Sequence, residues 1–190
     1  LKNYSISKYQ TQDVLFNANI KAVSSAYVDF YNNDKEIILV TYDGIFAIGK
    51  LNNISKFKKI KSNITNLIKF EDFFVSDQYG VKDIMVDNDL IYVSLISEKR
   101  HNCFNLKIIK SKFNKEFLEF EIFYETAGCV DKKNKHGFLA HQGGGGRMVK
   151  KDDNSILFTT GEFRNRPLAQ DKNSDYGKIL NIDTLSKKSK

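Results

Sequence analysis

Three short apolar segments, each entered through an Asn/Asp turn and each left through a hydroxyl residue, constrain this chain more than any other feature. They are Ile38-Leu39-Val40-Thr41, Ile91-Tyr92-Val93-Ser94 and Ile156-Leu157-Phe158-Thr159, preceded by Asn32-Asn33-Asp34, Asp87-Asn88-Asp89 and Asp152-Asp153-Asn154. Asn and Asp side chains bond their own backbone and tolerate left-handed geometry, so each unit reads as a turn feeding a strand. The segments start 53 and 65 residues apart (91 − 38 and 156 − 91). That is near the roughly 40 to 50 residues of a propeller blade plus a loop insertion. A further strand is expected after each, at Ile45 to Ile48, Phe104 to Ile109 and Lys178 to Ile182, and one before each, at Ala26 to Phe30, Val81 to Val86 and Arg147 to Lys150.

Strand, Asx turn, strand, loop, strand is the meander of one blade. The chain therefore reads as all-β, a single propeller portion with approximate blades over residues 20–66, 67–125 and 126–190. Pro167 is the only proline, and no long segment holds a 3.6-residue apolar period free of β-branched residues. Asn17 to Ser25 and Glu116 to Tyr124 are compatible with a short helix, although Phe117, Phe120 and Phe123 read equally well as strand. Gly44, Gly80, Gly161 and Gly177 fall at strand ends, where a turn or a close backbone approach calls for them.

The net charge of +7 comes from 26 Lys and 4 Arg, with the Lys dispersed apart from short clusters at Lys56 to Lys61, Lys132 to Lys135 and Lys187 to Lys190. Nucleic-acid sites favour Arg, whose planar fork reads phosphate and guanine, so this pattern reads as a solvated surface and no nucleic-acid partner is expected. No run of 18 apolar residues exists, so no membrane span is expected. The chain opens on Leu1 with no signal-like segment, which reads as a processed form or a piece of a longer protein. Cys103 and Cys129 match no zinc or redox spacing. Two buried thiols are one reading, and a disulfide in an exported protein is the other.

Four glycines, Gly143 to Gly146, lie between His141 and Arg147. A phosphate cradle needs Gly-x4-Gly-Lys-Ser/Thr opening a helix, whereas Arg147-Met148-Val149 opens a strand, so a flexible or tightly turned loop is expected instead. His141 sits on that loop, where an imidazole held by a rigid sheet can titrate near neutral pH and take a proton. His101 and His136 have no Asp or Glu companion at metal-ligand spacing, so no metal ligands are assigned.

The stretch Gly161-Glu162-Phe163-Arg164-Asn165-Arg166-Pro167-Leu168-Ala169-Gln170-Asp171, followed by Gly177-Lys178-Ile179-Leu180, resembles the signature of the glucose/sorbosone dehydrogenase family of soluble aldose sugar dehydrogenases. His141-Gln142 with its glycines and Arg147 is similar to the family's His-x-Gly-Gly-Arg segment. Gln78-x-Gly80-Val81-x-Asp83-Ile84 is similar to the segment opening the second blade. The resemblance implies a six-bladed propeller of which about three blades are present here. It implies a small-molecule sugar substrate, pyrroloquinoline quinone (PQQ) and calcium as cofactors, His141 as the base at the anomeric hydroxyl, Gln78 facing substrate and quinone, and a periplasmic or secreted location. The chain departs from the pattern at Ala140, where some relatives have Asp, at Phe163, where many have a polar residue, and in two extra residues before Arg147. A non-catalytic propeller used for binding or scaffolding is the alternative reading, and self-association through an open propeller edge is expected of a partial ring.

Overall fold

The computed structural model describes residues 5–7, 26–31, 33, 35–68, 80–138 and 143–189. The first sheet is a meander of β1 (Ala26–Tyr31), β2 (Glu36–Thr41), β3 (Phe46–Lys50) and β4 (Asn53–Ser62), followed by a single helical turn, α1 (Ile64–Leu67). The second runs through β5 (Gly80–Asp87), β6 (Leu90–Arg100) and β7 (Cys103–Lys112). Between β7 and the next strand of that sheet the chain detours. There β8 (Phe117–Leu118) pairs in parallel with β4 of the first sheet, before β9 (Glu121–Glu125) returns to β7. β10 (Val130–Asp131) also pairs with β7, and β11 (Lys133–Asn134) and β12 (Gly137–Phe138) form a small hairpin. The third sheet is β13 (Gly145–Asp152), β14 (Ser155–Thr160) and, after the short helix α2 (Pro167–Gln170), β15 (Lys178–Asp183).

These are three antiparallel meanders, an all-β partial propeller. Each of the three repeat segments forms the second strand of its sheet: Ile38 on β2, Ile91 on β6, Ile156 on β14. The Asx turns feed them as expected. Asn33 and Asn88 take positive φ, at 52° and 53°, and the Asn154 N–H donates to Asp152 Oδ1 at 2.9 Å. The hydroxyls that end the segments bind backbone at the same end of each sheet. Thr41 Oγ1 accepts from the Ile45 N–H at 3.0 Å, Ser94 donates to the Gly146 carbonyl, and Thr159 Oγ1 accepts from the Arg147 N–H at 2.9 Å. The ambiguous stretch around Phe117 is strand at β8 and β9; Asn17 to Ser25 lie outside the described residues.

The core lies between the sheets. Ile38 and Val40 of β2, Val93 and Leu95 of β6, Ile108 of β7 and Phe158 of β14 are all fully buried. Aromatic pairs link the layers: Phe46 of β3 meets Phe120 of the β8–β9 connection at 5.1 Å, and Tyr124 of β9 meets Phe158 of β14 at 6.3 Å. Cys103 and Cys129 form a disulfide joining the start of β7 to the connection that follows β9, so of the two sequence readings the bonded one holds.

Candidate functional site at the inner strand ends

The first strand of each sheet is the inner one, and side chains from one inner strand clasp the next. On β1, Asp29 Oδ2 accepts the Val86 N–H of β5 at 2.6 Å. On β5, Asp83 Oδ2 accepts the Met148 N–H of β13 at 2.8 Å, while its Oδ1 pairs with Arg147 Nη1 at 2.7 Å. The Arg147 guanidinium in turn lies over the ring of Tyr27 on β1, 5.3 Å from its centroid. In a fan of blades, strands two blades apart meet only at the axis, so this contact marks where the three inner strands converge.

Glycines let the backbone close at this end. A Cβ on Gly161 would stand 1.7 Å from the Gly143 carbonyl oxygen, and one on Gly146, whose φ is +110°, would stand 2.4 Å from Lys82 Cβ. The Gly161 N–H donates to the Gly144 carbonyl at 2.7 Å and the Phe163 N–H to the Gly143 carbonyl at 3.1 Å. The glycine run is therefore a tightly turned packing surface pinned from two sides, which decides between the two expectations for it.

Phe163 and Arg164 are consecutive non-glycine residues at positive φ, 51° and 66°. Backbone in that region costs a bulky residue on the order of 1 kcal/mol and persists only where its surroundings hold it. Here the Phe163 ring is fully buried and meets Tyr176 edge-on at 5.8 Å. Phe163 is thus core, packed beneath the turn. Beside it, Glu162 Oε2 is buried and has no hydrogen-bond partner among the described residues.

Much of the rest of the signature builds the β14–β15 connection. Pro167 opens α2, where its missing N–H costs nothing. Gly177, with φ of 70°, leaves room for Ala169, whose Cβ would lie 2.6 Å from a side chain there. The Lys178 ammonium donates to the carbonyls of Leu168, Ala169 and Tyr176 at 2.9 to 3.0 Å. The connection is tied to the second sheet by Asp175, which accepts from the Tyr124 hydroxyl at 3.1 Å and the Ala127 N–H at 2.6 Å. Burial is the largest influence on Tyr124 and Tyr176 and pushes both phenols up to about 12.

His141 and Gln78, the two residues singled out in the sequence, lie outside the described residues. The described residues that follow them, Gly143 and Gly80, adjoin β13 and β5 at the end where Gly146 packs on Lys82. Sequence reasoning quoted Asp83 and Arg147 as motif positions but missed that Asp83 holds Arg147 and that Arg147 lies over Tyr27. Only their shared place at strand starts hinted at it.

The family model described as Glucose / Sorbosone dehydrogenase matches residues 29–188. The chain belongs to this family. No curated protein sequence matches it. Among solved structures it is similar to a glucose dehydrogenase, with a TM-score of 0.62 and 13% identity over 83% of this chain and 43% of that one. A second glucose dehydrogenase gives 0.62 and 12% identity, covering 83% of this chain and 46% of that one. The soluble aldose sugar dehydrogenase from Escherichia coli in its apo form gives 0.59 and 12%, covering 85% and 48%. This chain thus spans less than half the length of these three solved dehydrogenases, and these likenesses speak to the fold.

A planar quinone bearing carboxylates fits one feature present here, the Arg147 guanidinium held against Tyr27 at the axis. Calcium is different: among the described residues no three His, Cys, Asp or Glu side chains gather to hold a metal ion, so these residues do not form a side-chain cage for it.

Proposed function

We propose that this glucose/sorbosone dehydrogenase chain is part of a sugar dehydrogenase that oxidises an aldose at C1 by hydride transfer to PQQ. The observation that carries this reading is the family match over residues 29–188, together with the convergence of the strands that follow Gln78 and His141 at one end of the axis. When bound, the quinone supplies the two-electron acceptor. The protein's part is to hold the sugar and to manage its proton. His141 takes the proton from the anomeric hydroxyl, which raises electron density at C1 and makes the C1–H bond a better hydride donor. Gln78 orients the sugar, and Arg147 would hold a carboxylate edge of the quinone. The product of removing both hydrogens from the hemiacetal is a lactone.

A periplasmic or secreted setting belongs to the same reading and is supported by the Cys103–Cys129 disulfide, because such bonds persist in oxidising compartments. Among the described residues no helix is long and apolar enough to cross a membrane. The second reading, a non-catalytic binding or scaffold propeller, is favoured by one observation: Pro167, Ala169, Gly177 and Lys178 of the signature serve the architecture of a loop.

Loading the full protein with PQQ and calcium, then following dye-linked oxidation of a panel of aldoses, separates the two. Turnover that falls by about a hundredfold or more in His141→Gln is the expected result for loss of a general base. A folded protein that binds no quinone and oxidises no aldose would establish the scaffold reading instead.

A further inference from the structure

The segment that leads from β9 to the β11–β12 hairpin is held at many points yet lies mostly at the surface. Val130 is buried, whereas Asp131, Lys132, Lys133, Lys135 and His136 are exposed. The Cys103–Cys129 disulfide ties its base to β7, where Val130 and Asp131 pair with Phe104 and Cys103. The Lys132 N–H donates to the Asn102 carbonyl at 2.7 Å, and Arg100 pairs with Asp131 at 3.2 Å. From the third sheet, Asp175 accepts the Ala127 N–H at 2.6 Å, and the Tyr176 hydroxyl donates to the Gly128 carbonyl at 3.3 Å. At the tip, the His136 N–H donates to Asn134 Oδ1 at 2.9 Å and steadies the β11–β12 turn. Core packing does not explain restraint of so exposed a segment. Such restraint does remove in advance the ordering that binding would otherwise have to impose.

The charge carried here is one-sided. Asp131 is taken by Arg100, and the nearby Glu125 by Lys99 and Lys107. Lys132, Lys133 and Lys135 have no ion pair among the described residues. The hairpin also stands at the end of the second sheet where β5 begins, because Gly80 pairs with Ile96 while β6 and β7 run on to Arg100 and Cys103. We propose that this disulfide-braced basic hairpin is a docking surface for an acidic protein. Lysine ammonium groups are strongly hydrated point charges without the planar fork that grips a single carboxylate or phosphate group. They suit a solvated, salt-sensitive contact that guides an acidic face into register rather than a dry pocket for a small anion. This inference goes beyond the dehydrogenase reading and does not rest on it.

The test is fluorescence anisotropy of labelled poly-L-glutamate, and separately of labelled polygalacturonate, titrated with the full protein at low and moderate salt. Three variants are compared with the wild type. Lys132→Gln/Lys133→Gln/Lys135→Gln removes the hairpin charge, Lys56→Gln/Lys58→Gln/Lys59→Gln removes the same net charge from β4, and Cys103→Ser/Cys129→Ser releases the brace while keeping every lysine. The wild type is expected to bind poly-L-glutamate, more weakly as salt rises. The hairpin variant is expected to lose about tenfold in affinity, as three modest surface contacts together allow, and the β4 variant to lose far less. The cysteine variant, assayed where circular dichroism shows it folded, should bind severalfold more weakly at unchanged charge, a loss that charge alone would not produce. Equal losses in the two lysine variants would mean that binding follows net charge, and would overturn the proposal. So would undiminished binding in the hairpin variant or in the cysteine variant. Polygalacturonate bound more tightly than poly-L-glutamate through the same lysines would put a polysaccharide in place of the protein partner and overturn the proposal as stated.

Discussion

The Asp83 carboxylate holds the β13 backbone and the Arg147 guanidinium while lying almost out of reach of water. Asp83→Ala would leave the Met148 N–H without its acceptor and hand the exposed Arg147 guanidinium to water, and a loss of about 1 to 2 kcal/mol in urea unfolding is expected. Its titration has a definite sign. Burial is the largest influence and raises its pKa, against lowering by the Met148 N–H and by Arg147. The folded state therefore holds this proton more tightly than the unfolded chain does. On Asp83's account stability is greatest below the ordinary carboxylate pKa and declines as pH rises through the interval up to the raised value. The deficit of Asp83→Asn relative to the wild type should accordingly shrink between about pH 3 and pH 7, the span across which carboxyls titrate. A deficit that grows over that span would contradict the sign. Gly161→Ala tests the close approach: with the Gly143 carbonyl 1.7 Å from the new Cβ, a loss of about 3 kcal/mol or more is expected from backbone that cannot yield. Gly161 was legible in the sequence as a strand-end glycine. The Asp83 to Arg147 contact was not, because it joins residues 64 apart and depends on how two sheets pack.

At the scale of elements, the three turn-and-strand repeats were readable because both the Asx turn and the alternation of strands are local. β4 was not read as a strand, since its Lys56 to Lys61 cluster looked like plain solvated charge. It is the last strand of its meander, its far side covered among the described residues by β8 only at Lys61 and Ser62, and lysines along the remainder discourage pairing with other chains. The disulfide was left open in the sequence because it depends on the β7 start and the 126–130 connection being neighbours, which β10 secures by pairing with β7. Replacing Cys103 and Cys129 with Ser should destabilise the fold by on the order of 3 kcal/mol for a loop of this length. Reductant should lower the melting temperature of the wild type and leave that of the variant unchanged. Lys178→Met removes the donor to three carbonyls of the β14–β15 connection. Faster proteolytic nicking between residues 161 and 177, at little cost to the remaining sheets, is the expected outcome.

Across the whole molecule, the two end sheets present apolar faces. On β1, Tyr27, Asp29 and Tyr31 turn toward Arg147, Val86 and Asp89, which leaves Val28 and Phe30 on the opposite side, 57% and 48% exposed. Val149 on β13 and Ile179 on β15 are likewise exposed, at 56% and 69%. Blades normally bury such faces against one another, so the isolated 190-residue chain should associate as its concentration rises. Sedimentation of Val28→Lys/Ile179→Lys should show that association reduced, and an unchanged profile would place the contact elsewhere. The site at the axis belongs to this scale too, because three inner strands must converge before Arg147 can reach Tyr27.

The proposed removal of hydride from C1 of an aldose is tested most directly by a deuterium comparison. The quinone-loaded protein is mixed under anaerobic conditions with an aldose or its C1-deuterated form, and cofactor reduction is followed by absorbance. Reduction slowed severalfold by deuterium, and nearly abolished in His141→Gln, is the predicted result. Absence of reduction in a folded, quinone-bound protein, or reduction at the same rate in His141→Gln, would contradict the account.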